Sequence, residues 1–94
     1  GVSGKTARKI GIKLKQSSHL AQTICVTHSA QIASLADTHM LISKGVVGER
    51  TETNVRVIDG EERTAEIARI LSGVTVSENM MVSARELIDE GKNI

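Results

Sequence analysis

The sequence has no phenylalanine, tyrosine, tryptophan or proline. Without aromatic rings it builds neither a cage for cations nor a stacking platform for bases. A core has to come from aliphatic side chains instead, chiefly ten Ile, nine Val and six Leu. A single cysteine excludes an internal disulfide framework and points to a reducing compartment. No apolar run approaches the ~18 residues of a membrane span, so a soluble, cytoplasmic chain is expected, with no membrane partner. An excess of one charge is also missing: twelve Lys and Arg stand against eleven Asp and Glu, a net charge of +1. Domains that hold phosphate backbones by charge alone are far more basic, so DNA binding by this segment alone is not expected. At 94 residues the chain amounts to about one small domain, too little for a multidomain enzyme with its own complete site. It starts at Gly1 with no Met and no signal-peptide pattern, which reads as an excised segment.

What is present reads as an α/β pattern. Ser3 can cap a helix ending near Gln16, with Ala7, Ile10 and Leu14 at i, i+3 and i+7. Lys5, Arg8, Lys9, Lys13 and Lys15 occupy the remaining positions and read as a solvated face. Thr23 to Thr27 is a short β-rich run with an unbroken apolar centre, Ile24-Cys25-Val26, the pattern of a strand covered on both faces. His28-Ser29 follows directly, and a second helix is expected over Ala30 to Ala36. Met40-Leu41-Ile42 is a short strand, Gly45 to Gly48 a loop, and Arg50 to Ile58 alternates like a half-exposed antiparallel strand. Asp59 with Glu62 approximates a capping box for a third helix that stops at Gly73. A fourth starts at Ser77, carries Met81, Ala84, Leu87 and Ile88 on one side, and stops near Gly91. Burying Ile24 and Val26 on both faces needs more sheet than two or three strands supply, so the missing strands are expected on another segment. Without that neighbour Ile24 and Val26 would stand exposed.

His28 is the most informative position for chemistry, because it stands where a strand hands over to a helix. Open α/β sheets bind ligands at the carboxyl ends of their strands. An imidazole there can hydrogen-bond a phosphate oxygen or a water and exchange a proton near neutral pH. The competing reading is a histidine that merely caps the next helix. Gly1-Val2-Ser3-Gly4 is a small-residue turn whose backbone N–H groups can approach an anion or a partner surface, though a helix cap explains it equally well. Gly4-Lys5-Thr6 imitates the end of a phosphate-binding loop, G-x-x-x-x-G-K-[ST], whose first glycine would lie ahead of Gly1. Cys25, His28 and His39, with His19 as a fourth ligand, lack any pairing that fixes metal geometry, so no metal site is expected and Cys25 reads as a buried structural thiol. A Cys25/His28 nucleophile pair fails for the same reason, and Ser29 lacks a glycine-flanked elbow. Met80 and Met81 read as core filling.

Gly1 to Gly4 and the helix after it, Ile24 to Ala33, Ala36-Asp37-Thr38-His39 and Leu41 to Lys44 together resemble the C-terminal end of the RecN family of bacterial DNA-repair ATPases. Arg50 to Thr53, Glu66 to Gly73 and Ala84 to Leu87 extend the resemblance along most of the chain. These are ABC-type, SMC-like ATPases whose two head lobes flank a long coiled coil. The resemblance implies a single partial domain over 1–94: the C-terminal lobe of a P-loop ATPase head, with a few strands, parallel plus an antiparallel edge, and about four helices. Gly1, Val2, Ser3 and Gly4 are then the D-loop, which crosses between two heads, and 24–33 is the strand and H-loop region. His28 is the switch histidine that contacts the ATP γ-phosphate and helps place the attacking water. Many relatives have Leu-Pro after that histidine where this chain has Ser29-Ala30. The implied partners are the N-terminal lobe of the same parent chain, a second head in a homodimer, and DNA through the parent. The implied cofactors are ATP and magnesium in the parent, neither bound by this segment alone, because the phosphate-binding loop, the signature motif and the Walker B acids are not in it. The implied location is cytoplasmic and nucleoid-associated. Two other readings stay open: a truncated phosphate-loop domain built on Gly4-Lys5-Thr6, and a non-catalytic interaction module whose sheet edge pairs with a partner strand.

Overall fold

A computed structural model describes residues 3–73 and 75–94, as four helices and two strands. Helix α1 spans Gly4–Ser17, and the Ser3 hydroxyl accepts from the Thr6 N–H, as its position predicts. Its buried residues, Ala7 and Gly11, lie one turn apart. A β-carbon on Gly11 would sit 2.6 Å from Leu35 Cδ1, so glycine is what lets α1 approach that closely. Helix α2 is a single turn, Ala30–Ala33, shorter than the seven residues expected, although Leu35 beyond it is still buried.

Strands β1, His39–Val47, and β2, Arg50–Ile58, form one antiparallel hairpin in which Val47 pairs with Arg50 and His39 with Ile58. Gly45, expected in a loop, is inside β1, and the turn is reduced to Gly48-Glu49. Gly48 has φ 64°, the positive value that two-residue hairpin turns matched to strand twist place at their first position. Alternation then puts Met40, Ile42, Val46, Val55 and Val57 on one face, and all five are exposed. The alternating pattern is thus borne out while the burial it implied is not, because no element among the described residues covers that face.

Helices α3, Gly60–Ser72, and α4, Glu78–Gly91, pack against each other and supply most of the core. Ala30, Ile67, Ala68, Ala84 and Ile88 form the buried cluster, with Met80, Met81 and Leu87 against it, so the two methionines do fill the core. Gly73 ends α3 with φ 76°, the left-handed cap expected there. The Ser77 hydroxyl accepts from the Met80 N–H and starts α4. The capping box is not formed: the Asp59 side chain makes no cap bond, and the Glu62 carboxylate takes the Arg56 guanidinium of β2 instead. A forked guanidinium that satisfies both carboxylate oxygens outcompetes one backbone N–H.

The strand expected over Thr23–Thr27 does not form. The segment lies outside both strands, with Ile24 85% and Val26 83% exposed. Cys25, expected as a buried thiol, is exposed with them. The physical reason is the one the apolar run implies: a strand needs ladder partners, and the only sheet among the described residues is the β1–β2 hairpin, with no parallel pair. The fold is therefore a small α/β unit of four helices and a two-stranded antiparallel sheet. Among the described residues no helix is long and apolar enough to cross a membrane.

Candidate functional site

His28 is exposed, in the stretch without regular secondary structure that leads into α2. The Thr27 hydroxyl accepts from the Ser29 N–H at 3.0 Å, closing a local turn with His28 at its middle. Ser29 is the N-cap of α2 but makes no side-chain cap bond, and its carbonyl accepts from Ile32 and Ala33. With Ser29-Ala30 after the histidine the helix start is thus held by backbone bonds alone.

The carboxyl end of α2 is fixed much more firmly, by two arginines. Arg8 of α1 donates through Nη1 to the Gln31 carbonyl at 3.0 Å and the Ser34 hydroxyl at 2.8 Å, and through Nη2 to the Leu87 carbonyl and Glu90 Oε2 of α4. Arg63 of α3 donates through Nη2 to the Ala33, Ser34 and Ala36 carbonyls. These oxygens are the orphans that a helix end leaves, and cations there also meet the negative end of the helix dipole. Three helices are in this way tied to the Ser34–Ala36 turn, and the turn holds the short helix that begins two residues after His28. Arg8 and Lys15 are therefore not part of a solvated face. Arg8 has a side chain only 14% exposed, and Lys15 pairs with Asp37. Nothing in the sequence marks Arg8 or Arg63 as structural, because most of their acceptors are backbone carbonyls that any residue type provides.

Electrostatics follow from the same ties. The Lys15 ammonium, by hydrogen bond and then by charge, holds the Asp37 carboxyl below its ordinary value. Burial pushes the His39 imidazole below its ordinary value and the Arg63 cation pushes it further, against a smaller pull from Glu66. Burial also lowers Arg63, which stays a cation. His39 Nδ1 and Arg63 Nε are both buried without a hydrogen-bond partner.

Of the D-loop residues, Gly1 and Val2 lie outside the described residues, Ser3 is the exposed cap of α1, and Gly4 opens that helix. A β-carbon on Gly4 would sit 3.8 Å from Gln31 Nε2, so the start of α1 lies beside α2, three residues past His28. The structure thus brings the described end of the expected D-loop and the helix after the expected switch histidine to one side of the molecule. Lys5 and Thr6 form the first turn of α1, both exposed. Among the described residues no three His, Cys, Asp or Glu side chains gather as a metal site would require.

Comparison with known proteins adds what geometry does not contain. No family model matches the chain. It is 43% identical to the DNA repair protein RecN of Halalkalibacterium halodurans and 37% identical to that of Bacillus subtilis, in both cases over all 94 residues. It is 40% identical to RecN of Treponema pallidum over 91 residues. In these relatives it spans only 16–17% of the length. Along its whole length, then, the chain is homologous to one short segment of DNA repair protein RecN, and it fits the C-terminal segment of that protein.

Proposed function

We propose that the chain is the C-terminal lobe of the ATPase head of a RecN-like double-strand-break repair protein, supplying His28 and the Gly1–Gly4 D-loop to a composite site. The observation that carries this reading is the uncovered apolar surface on the segment that leads into His28. Ile24 and Val26 stand almost fully exposed on the segment that leads into it, as central-strand residues do when the rest of their sheet is elsewhere. The relatives contain about six times as much chain as this segment, ample for the missing strands and the nucleotide-binding motifs.

The residues present fit one side of a nucleotide site. An exposed imidazole just ahead of α2 suits a phosphate oxygen or a water, and Gly4 lies near that helix. Bound ATP with magnesium supplies the phosphoryl group and the charge neutralisation. His28 would contact a γ-phosphate oxygen and help place the attacking water, while Ser3 and Gly4 would present backbone toward a second head. Phosphoryl transfer depends mainly on positioning and electrostatics, so His28 can matter greatly without being a strong base. Head engagement would draw two coiled-coil arms and their DNA together, in the cytoplasm at the nucleoid, with hydrolysis allowing release.

The test is His28→Ala in a full-length polypeptide that contains this segment. Removing one donor aimed at transition-state charge typically costs about 100-fold or more in kcat, so turnover should fall on that order while the folded state is unchanged. Wild-type ATP turnover in the variant would overturn the assignment.

A further inference from the structure

Helix α1 carries five of the chain's twelve cations and none of its eleven acids. The near-neutral total therefore conceals a basic helix set against a remainder with seven cations and eleven acids. Two of the five are used internally, Arg8 on α2 and α4 and Lys15 on Asp37. The other three, Lys5, Lys9 and Lys13, recur at i, i+4 and i+8, and all are exposed. Among the described residues none of them enters an ion pair. With a rise of about 1.5 Å per residue, the row runs roughly 12 Å along one side of the helix. Like charges at i, i+4 repel weakly, so the row is mildly unfavourable within the chain and an anion from outside, laid along it, would be favoured.

We propose that Lys5, Lys9 and Lys13 hold the phosphodiester backbone of duplex DNA. Lysine is a flexible point charge that contacts phosphates without reading bases, so the contact is independent of sequence. A duplex presents one charge per ~1.7 Å of axis, so a 12 Å row faces more charge than three lysines neutralise. The inference rests on the reading above, in that a repair ATPase head works on DNA. It goes further by placing the contact on this helix, although the overall charge of the chain argues against one. Ile10 and Leu14 line a shallow groove of about 350 Å³ beside Lys9 and Lys13. A protein segment seated there is the competing occupant, and the charge row favours DNA because an apolar contact would leave the lysines uncompensated.

The experiment replaces all three lysines by glutamine in the full-length polypeptide and follows binding of a short duplex of arbitrary sequence from roughly 50 to 200 mM salt. Three lost phosphate contacts should flatten the slope of log affinity against log salt by about 2.7, so the wild type loses roughly 40-fold more affinity over that range than the variant does. The triple Lys→Arg variant should keep the wild-type slope. An unchanged slope in a folded glutamine variant overturns the proposal. Reduced ATP turnover with that unchanged slope identifies the row as a protein contact. Wild-type turnover in His28→Ala would overturn the head assignment yet leave the slope result standing, so the two failures are distinguishable.

Discussion

Ile67 and Ile24 are the same side chain in opposite circumstances: Ile67 on α3 is fully buried, and Ile24 on the segment before His28 is 85% exposed. The contrast extends to their neighbourhoods. Around Ile67 the helices meet their own needs, with Ala68, Ala84 and Ile88 packed on it and Arg8 and Arg63 satisfying the carbonyls at the end of α2. Around Ile24 and along the hairpin, apolar groups face outward, and among the described residues no further strand is paired. One region is stabilised by this chain, and the other has surfaces suited to something else. His28 sits at the junction, on the exposed side, held from behind by the satisfied side.

Breaking the satisfied region should have the largest effect on stability. Ile67→Ala removes buried methylenes from a site walled by two helices, and such changes typically cost about 2–5 kcal/mol. Chemical denaturation of the chain should show a loss in that range, and a loss below ~1 kcal/mol would mean that the α3–α4 core is not what stabilises the fold. The paired expectation is that Ile67→Ala damages ATP turnover of the full-length polypeptide only in proportion to unfolding, the reverse of His28→Ala.

The boundary between the two regions should respond to pH, with a smaller effect. His39 opens β1 where the hairpin leaves the helical body, and burial and Arg63 keep its imidazole below the ordinary value of 6.5, with Glu66 opposing. The sign follows from linkage. A base whose folded pKa is depressed binds fewer protons folded than unfolded, so its contribution is complete above about 6.5 and is lost as pH falls from there through the folded value. Denaturation midpoints should therefore drop between pH 7.5 and 5.5, and His39→Gln should reduce that drop. An equal drop in wild type and variant would show that the hairpin base is not pH-sensitive through His39. Asp37, held low by Lys15, is distinct because its contribution is lost only below its ordinary value of 3.8.

Most of the satisfied region is legible in the sequence and much of the exposed region is not. The caps at Ser3, Ser77 and Gly73 and the apolar periods of α3 and α4 depend on neighbours within a turn, so local spacing reveals them. The Arg8 and Arg63 ties join residues 23 or more apart, mostly to backbone oxygens, and no local side-chain spacing encodes them. At Thr23–Thr27 the apolar composition suggests a strand that does not form, because a strand depends on ladder partners that local composition does not supply. For the candidate site, position and resemblance both single out His28, and the structure adds its exposure and the nearness of Gly4 to Gln31. The hairpin lies between these cases, with its alternation readable and its covering absent.

That intermediate case yields the smallest effect and the sharpest test of the comparison. Val57 pairs with Met40 on the exposed hairpin face and is itself 60% exposed. Val57→Thr keeps the β-branch and nearly the volume, so it keeps the strand preference and changes mainly one methyl for a hydroxyl. At an exposed position such a change falls within about 0.5 kcal/mol, which is the expectation for the chain on its own. In a full-length polypeptide in which another segment lies on that face, the hydroxyl would be buried without a partner and cost about 1–3 kcal/mol. Measuring the substitution in both settings reads the cover directly: a larger cost in the long chain identifies the hairpin face as an internal interface. Equal small costs in both would mean that the face stays open to water, and the division drawn between the two regions would then belong to the protein as a whole.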